Sequence, residues 1–434
     1  MKAFFKKMVV AILSAEARML INRTKPIIIA VTGSVGKTST KDAIYEALKG
    51  KLSARKSQKS YNSEIGIPLT VLGLPNAWNN PILWTKNIVD GFFTALFPSN
   101  YPKVLVIEAG VDRPGDMKSL TSWLKPDVVV LTRLPDVPVH VEYFKMPEDV
   151  VAEKMELVYA LKPEGVLVYN HDDMIIRNQL ENVRHRSIGY SRYSDSQFRM
   201  KNDSFLYQDD TISGLQFDIS SLSETVTVKV RGMVGDHVLY SCGAALATAS
   251  LFEMSLAEAA NELSGLEPTP GRMRILLGIK HTTIIDDTYN SSPVAVESAL
   301  ATIREIHGVK RKIAVLGDML ELGQYSVREH ERIGALTAQS ADILFTVGVR
   351  ARKIAEGALE NGMDEANIFQ YEDVKRAGRE LQDMIESGDL ILVKASQGIR
   401  AERIVEEIMY EPDKAEELLV RQGSVWQNKP DILA

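Results

Sequence analysis

The chain has 434 residues, enough for two or three domains, and its 45% hydrophobic and 25% charged residues are typical of a globular protein. The formal net charge of −6, without a basic stripe, excludes a general nucleic-acid surface. The single cysteine, Cys242, excludes an internal disulfide and predicts a cytoplasmic protein.

Residues 1–25 imitate a secretory signal, because a basic start precedes an apolar run. That run is too short to span a membrane, and a phosphate-binding motif follows closely after it. We therefore predict a basic amphipathic helix that packs on the following domain. Peripheral contact with a membrane surface is the alternative.

Residues 27–42 have the sequence IIIAVTGSVGKTSTKD. The apolar run at 27–31 predicts a buried strand, and residues 36–48 predict a helix. A glycine turn between them directs backbone N–H groups and the helix dipole towards a phosphate, with Lys37 near the terminal phosphates and the Thr38 hydroxyl near Mg²⁺. Val31 stands where the standard motif has glycine, so the loop has the shorter form T-G-S-x-G-K-T-S. The predicted nucleotide contacts in this turn are Gly33, Ser34, Gly36, Lys37, Thr38 and Ser39.

Five bulky aromatic residues are crowded into the segment 78–97. One interpretation is a helix that covers the sheet. The other is an exposed apolar surface for a partner or a membrane.

Strands and helices alternate over the rest of the first half. Buried strands are predicted at 104–107, 128–131 and 165–169, with a helix at 147–161. In a parallel, doubly wound sheet the ligands gather at the carboxyl ends of the strands, so Glu108 and the loop with His140 are expected near the glycine turn. The region 186–232 predicts antiparallel strands, and helices at 239–253 and 256–264 precede a Pro/Gly linker.

Beyond the linker the alternation restarts. Strands are predicted at 282–286, 312–316, 343–347 and 389–393, and helices at 293–306, 326–339, 350–361, 373–386 and 399–409. The predicted fold class is therefore α/β, with three parts. They are an N-terminal helix (1–25), a doubly wound P-loop central domain (26–267) and a Rossmann-like C-terminal domain (268–434).

Several separated motifs resemble those of the Mur ligase family. In chain order they are TGSVGKTS, YNSEIGIP, EAGVDRPGDM, the His140 loop, AEKMEL, NHDD, GRM, DDTYNSSP, LGDMLELG and VKASQG. The resemblance implies an ATP-dependent ligase of peptidoglycan synthesis that forms an amide bond through an acyl phosphate. It is greatest to members that join D-alanyl-D-alanine to a UDP-muramoyl tripeptide. Because only residues 1–25 precede the first strand of this sequence, we expect no counterpart of their N-terminal UDP-binding domain.

The resemblance also assigns roles to single residues. Glu108 and His140 are expected to hold Mg²⁺ between ATP and the substrate carboxylate, and Lys154 to carry a carbamate that holds a second Mg²⁺. The remaining nucleotide contacts are Arg272, Asp287, Tyr289 and Asn290, and the substrate contacts are Asn62, Lys394 and Ser396. The chain departs from the family pattern at Ser63, Ala395 and Gln397, and at 235–238, where GDHV lacks an asparagine usually found near adenine.

Two other functions stay open at this stage. One is a related ligase for another carboxylate and amine, similar to folylpolyglutamate or cyanophycin synthase. The other is a non-catalytic nucleotide-binding protein. We expect a monomer that acts on a muramoyl peptide and D-alanyl-D-alanine. Segments 1–25 and 78–97 are expected to form one surface, which contacts substrate or docks on a partner or membrane.

Overall fold

The computed structural model describes residues 2–58, 61–78, 80–423 and Trp426, and the side chains from residue 5 onwards. The end of the predicted C-terminal domain, residues 427–434, lies outside this set. Within the described ranges, no helix is long and apolar enough to cross a bilayer.

The first half of the chain is built on a nine-stranded sheet. Its strands are β1 Ile27–Thr32, β2 Ala54–Lys56, β3 Val104–Glu108, β4 Val128–Leu131, β5 Val166–Asn170, β6 Arg186–Ser191, β7 Phe198–Gln208, β8 Thr211–Ser220 and β9 Thr225–Arg231. Their order is β2-β3-β1-β4-β5-β6-β7-β8-β9, parallel as far as β7 and antiparallel from β7 to β9. This arrangement confirms the predicted α/β class.

The first half also contains helices, most of which pack on the two faces of this sheet. They are α1 Lys2–Thr24, α2 Lys37–Lys49, α3 Gly66–Leu72, α4 Pro81–Leu96, α5 Asp116–Thr121, α6 Pro147–Tyr159, α7 Met174–Gln179, α8 Asp236–Ala249 and α9 Leu256–Leu263. Because side chains alternate along a strand, Ile29 and Val31 join the core under α2 and α8, whereas Ile28 and Ala30 join the core under α1 and α6.

The second half is built on a six-stranded sheet in the order β10-β11-β15-β12-β13-β14. Its strands are β10 Arg274–Leu277, β11 Thr283–Asp287, β12 Lys312–Gly317, β13 Ile343–Val347, β14 Ile368–Tyr371 and β15 Leu390–Lys394. Its helices are α10 Pro293–Glu305, α11 Ser326–Ala338, α12 Arg352–Glu360, α13 Val374–Met384, α14 Glu402–Ile408 and α15 Ala415–Leu418. All pairs are parallel except β10 with β11.

Some local predictions were wrong. The helix predicted at 239–253 begins at Asp236 and ends at Ala249, where a short 3-10 turn follows. Strands β10 and β14 were missed, because each has only four residues and lies at a sheet edge.

Helix α1 packs on the domain as predicted, since Val9, Leu13, Ala17 and Leu20 are buried. Helix α4, by contrast, does not cover the sheet. It contacts α1 and α3 instead.

Candidate active site

The glycine turn between β1 and α2 has the geometry of an anion cradle. Gly33 has φ +142°, and a Cβ there would lie 2.0 Å from Thr132 Oγ1, so the turn requires glycine. Gly36 caps α2 with φ +83° and offers no side-chain acceptor, so the first N–H groups of the helix stay available. Lys37 Nζ donates to Gly33 O at 2.9 Å, which holds the ammonium group over the turn.

Burial lowers the pKa of Lys37, and the nearby Arg272 lowers it further, although Glu108 opposes this shift. A bound anion would relieve this repulsion between the two cations.

Glu108 ends β3 at the carboxyl edge of the sheet, beside Val31 of β1. Its carboxylate is held from two sides, because Thr38 Oγ1 donates to Oε2 at 3.0 Å and Asn62 Nδ2 donates to Oε1 at 3.1 Å. Hydroxyl and carboxylate oxygens are ligands that Mg²⁺ prefers. In the described ranges, however, no group of three or more His, Cys, Asp or Glu side chains is assembled for a metal.

His140 lies across the cavity and is engaged by the second half of the chain. It adopts a left-handed conformation with φ +68°. Its Nδ1 lies 2.6 Å from Glu321 Oε2, and its Nε2 lies 3.6 Å from Asp112 Oδ1. The structure therefore places His140 between two carboxylates. Its contact with Glu321 joins the two halves of the chain, and the sequence did not predict it.

Lys154 of α6 is buried and does not line the cavity. Burial and, to a smaller extent, the charge of Lys37 lower its pKa to about 7. Asp112 and Glu153 act in the opposite direction. An amine with this pKa is about half neutral at pH 7, unlike an ordinary surface lysine, which is almost fully charged.

Arg272 reaches from the start of the second half to the glycine turn. Its Nη2 lies 3.4 Å from Thr38 Oγ1, and its Cζ lies 3.9 Å above the centre of the Tyr289 ring. Stacking on tyrosine fixes the guanidinium plane, so the group is preorganised for an anion. The buried Arg272 Nε has no hydrogen-bond partner among the described residues.

The carboxyl edge of the second sheet contributes a neutralised pair. Asp287 ends β11 and lies beside Lys394, which ends β15. Lys394 Nζ donates to Asp287 Oδ2 at 2.6 Å and to Asn290 O at 3.0 Å, and both charged side chains are buried. The pair fixes the loop that carries Tyr289 and Asn290.

One cavity of about 450 Å³ brings most of the predicted site residues together. Its lining includes Ser34, Gly36, Lys37, Thr38, Ser39, Asn62, Glu108, His140, Arg272, Asp287, Tyr289, Asn290 and Lys394. Three predicted residues lie outside its lining: Gly33, Lys154 and Ser396. Ser396 lines an adjoining hollow, where its Oγ accepts from Leu320 N at 2.9 Å.

Sequence reasoning missed two residues that shape the cavity, the buried Asp286 and the partly exposed His237. Asp286 accepts from Gly271 N at 2.9 Å and from Thr288 Oγ1 at 2.6 Å, which anchors the segment before Arg272, and burial raises its pKa to about 6. His237 lines the cavity, and burial lowers its pKa to about 4. The DDTYNSSP and GDHV motifs contained both residues, but only the fold shows which way they point.

The cavity can thus hold a polyanion between cations from both halves, with a fixed carboxylate beside it. Lys37 and the N-terminus of α2 lie on one side and Arg272 on the other, while Glu108 stands next to Thr38. This arrangement suits the transfer of a phosphoryl group to a carboxylate or other acceptor, because such chemistry depends on positioning and charge neutralisation.

Comparisons with known proteins agree with this geometry. Residues 31–249 match the family model of the Mur ligase middle domain, and residues 271–397 match that of the Mur ligase glutamate ligase domain. The chain is 29% identical over 386 residues to a UDP-N-acetylmuramoyl-tripeptide--D-alanyl-D-alanine ligase of Bacillus subtilis, covering 89% of this chain and 76% of that protein. A Mycobacterium leprae protein of the same name is 28% identical over 396 residues, covering 86% and 71%.

Among solved structures, a MurF ligase from Thermotoga maritima in complex with ADP is similar in fold. Its TM-score is 0.74 at 24% identity, and the match covers 92% of this chain and 83% of that one.

Proposed function

The chain belongs to the Mur ligase family, and on that premise we propose that it is an ATP-dependent ligase that joins D-alanyl-D-alanine to a muramoyl tripeptide. The observation that carries the proposal is the phosphate cradle made by both halves. Lys37 and the uncapped N-terminus of α2 face Arg272, whose Nη2 lies 3.4 Å from Thr38 Oγ1.

The proposed reaction has two steps. A carboxylate oxygen of the peptide attacks the γ-phosphorus of ATP and displaces ADP, which gives an acyl phosphate. The amine nitrogen of D-alanyl-D-alanine then attacks the acyl carbon, phosphate leaves, and the nitrogen loses a proton. Lys37 and Arg272 would neutralise the charge that develops on the phosphoryl oxygens, and contact between the halves would exclude water from the acyl phosphate.

The residues around Glu108 fit a magnesium ion. Thr38 Oγ1 lies 3.0 Å from Glu108 Oε2, so a hydroxyl and a carboxylate oxygen already converge. These two residues would hold Mg²⁺, which would offset the charge of the nucleotide phosphates. In the structure His140 engages Glu321, so its role as a metal ligand stays a prediction.

Carbamylation of Lys154 also stays a prediction, because the comparisons offer no support for it. The structural argument in its favour is that a buried amine with a pKa of about 7 is available to react with CO₂. The test is to assay Lys154→Ala with and without short-chain carboxylates, which could replace the missing anion. An active enzyme whose intact mass shows no carbamate would contradict the prediction.

The substrate is tested by phosphate release from ATP and Mg²⁺ in the presence of paired acceptors. We expect release with UDP-muramoyl tripeptide and D-alanyl-D-alanine together, and little with either alone. Release with a folate and glutamate, or with aspartate and arginine, would favour the related ligases instead. ATP binding without release for any pair would favour a non-catalytic protein.

The cradle is tested by Lys37→Ala. Loss of a preorganised charge contact of this kind lowers turnover by about 10²–10³-fold. Lys49→Ala, at the exposed end of the same helix, is the matched control and should leave turnover unchanged. Near-normal phosphate release by Lys37→Ala would overturn the assignment.

A further inference from the structure

Helix α4 turns its apolar side away from the protein. Its buried residues are Trp84, Asn87, Gly91 and Ala95. Its exposed large side chains are Ile82, Leu83, Val89, Phe92 and Phe93, followed by Phe97 at the C-cap. A surface helix of an isolated domain normally has the reverse arrangement, with its apolar stripe towards the core.

The exposed residues form one stripe. Ile82, Val89 and Phe93 are seven and four residues apart, which places them on the same side of a helix. Their exposed fractions are 77%, 47% and 56%, and the rings of Phe92 and Phe93 meet edge to face. Trp78, in the turn before the helix, is 57% exposed. An apolar surface of this extent marks an interaction site.

The inner face fixes the helix in this orientation. Asn87 Nδ2 donates to Pro75 O at 2.7 Å, and Trp84 Nε1 donates to Trp78 O at 2.8 Å. A Cβ at Gly91 would lie 2.3 Å from Glu16 Oε2, so α1 and α4 approach each other closely there. Rotating α4 to bury its phenylalanines would break these hydrogen bonds and this close packing.

Positive charge accompanies the apolar stripe. Lys86 follows Ile82 by four residues and so lies on the stripe itself, and it is exposed. Lys6 and Lys7, near the start of the adjoining α1, are also exposed. These exposed lysines on two adjoining helices belong to a chain whose formal net charge is −6. Exposed aromatic residues with neighbouring lysines are typical of helices that lie in a membrane interface.

We propose that α4, together with the basic start of α1, is a docking face for a bilayer that contains anionic lipid. The helix would lie in the headgroup layer with its phenylalanines among the acyl chains. The apolar stripe does not serve the cavity, because no cavity-lining side chain in the described ranges comes from α1 or α4. The expectation that these segments hold the substrate therefore gains no support from the geometry.

The proposal also predicts where the cavity lies relative to the bilayer. Lys6 Nζ is 2.8 Å from Glu64 Oε1, and Glu64 is two residues from Asn62, which lines the cavity. The basic end of α1 thus adjoins the segment that supports Glu108. Docking through this end would bring the rim of the cavity towards the lipid headgroups.

The test is co-sedimentation of the full chain with vesicles. We expect at least about tenfold stronger partitioning to vesicles of phosphatidylcholine with phosphatidylglycerol than to phosphatidylcholine alone, since each lysine near an anionic surface contributes about 1 kcal/mol. The double change Phe92→Ser with Phe93→Ser should lower partitioning to both vesicles by about tenfold or more. Lys7→Glu with Lys86→Glu should abolish the preference for the anionic vesicle.

The matched control is Leu222→Ser, which removes an apolar side chain that is 98% exposed in the turn between β8 and β9. It should partition like the unchanged protein. If the unchanged protein stays in the supernatant with both vesicles, the proposal is overturned. It is also overturned if the face instead joins two copies, so that the protein sediments as a dimer that Phe92→Ser with Phe93→Ser converts to a monomer without any vesicle binding.

Discussion

The second half of the chain has buried ion pairs near the cavity, whereas the first half leaves two of its buried charges unpaired. Lys394 bonds to Asp287, and Glu402 lies between Arg400 and Arg421 at 2.6 and 2.5 Å. In the first half, Lys154 makes no hydrogen bond or ion pair within the described ranges. The buried Glu16 Oε2 likewise has no hydrogen-bond partner there.

This difference has consequences for both halves. A buried charge pair holds its loop in one geometry, and removing one partner leaves the other charge uncompensated. Burial of an unpaired group instead shifts its pKa so that the neutral form is favoured, and the folded protein is more stable when the group is neutral. The ion pairs therefore fix loops of the second half, whereas the protonation of Lys154 and Glu16 in the first half depends on pH, as does that of Asp286 in the second half.

The largest effect is expected for Lys394→Met. It leaves Asp287 buried without its cation, so the free energy of unfolding should fall by about 3–5 kcal/mol. Urea denaturation measures the change. The double variant with Asp287→Asn should recover part of the loss, because the uncompensated charge is then gone. A fall in the free energy of unfolding of less than about 1 kcal/mol would show that the ion pair does not stabilise this part of the fold.

A smaller effect of opposite sign is expected for Glu16→Gln. Burial raises the pKa of Glu16 to about 7 from 4.5, so the folded state binds the proton more tightly than the unfolded chain. The contribution of Glu16 to the free energy of unfolding is therefore fully present below pH 4.5 and is lost as the pH rises through 7. Glutamine stays neutral, so the free energy of unfolding of the variant should exceed that of the unchanged protein by about 2 kcal/mol at pH 8, which is less than the whole difference in pKa implies because solvent partly screens the carboxylate.

This advantage of Glu16→Gln should vanish at pH 4, where the glutamate is protonated in both states. The exposed Glu164→Gln serves as the control and should show no difference at either pH. An equal effect at both pH values would contradict the role of protonation.

Lys154→Met tests the comparison directly, because it is the same change as in Lys394→Met at a buried lysine without a carboxylate partner. We expect the free energy of unfolding to stay the same or to rise by about 1 kcal/mol, since no charge is left behind. A loss as large as that of Lys394→Met would mean that Lys154 has a stabilising partner when the protein is folded.

Arg272→Lys should have the smallest effect. Lysine keeps the positive charge but loses the planar stacking on Tyr289, which is worth about 0.5–1 kcal/mol. We expect KM for ATP to rise by about two- to fivefold, measured by phosphate release, with the fold unchanged. A complete loss of activity would show that the fork of the guanidinium, and not only its charge, is essential.

The local pattern of the sequence determined the α/β class and the glycine turn. Buried strands such as β1 and β3 are continuous apolar runs, and Gly36 with Lys37 directly follows such a strand, so short-range chemistry is enough to identify them. The three-residue shift at the start of α8 and the missed strand β14 show where this reasoning ends, because edge strands and helix ends depend on tertiary contacts.

Only the tertiary structure decided which side chains meet across the two halves and which way α4 faces. The contact of His140 with Glu321 joins residues that are distant in the chain, and no spacing rule predicts it. The sequence of α4 suggested two alternatives, a helix over the sheet or an exposed surface. Close packing of Gly91 on α1 and the hydrogen bond of Asn87 selected the second, because they require the small and polar side of the helix to face inwards.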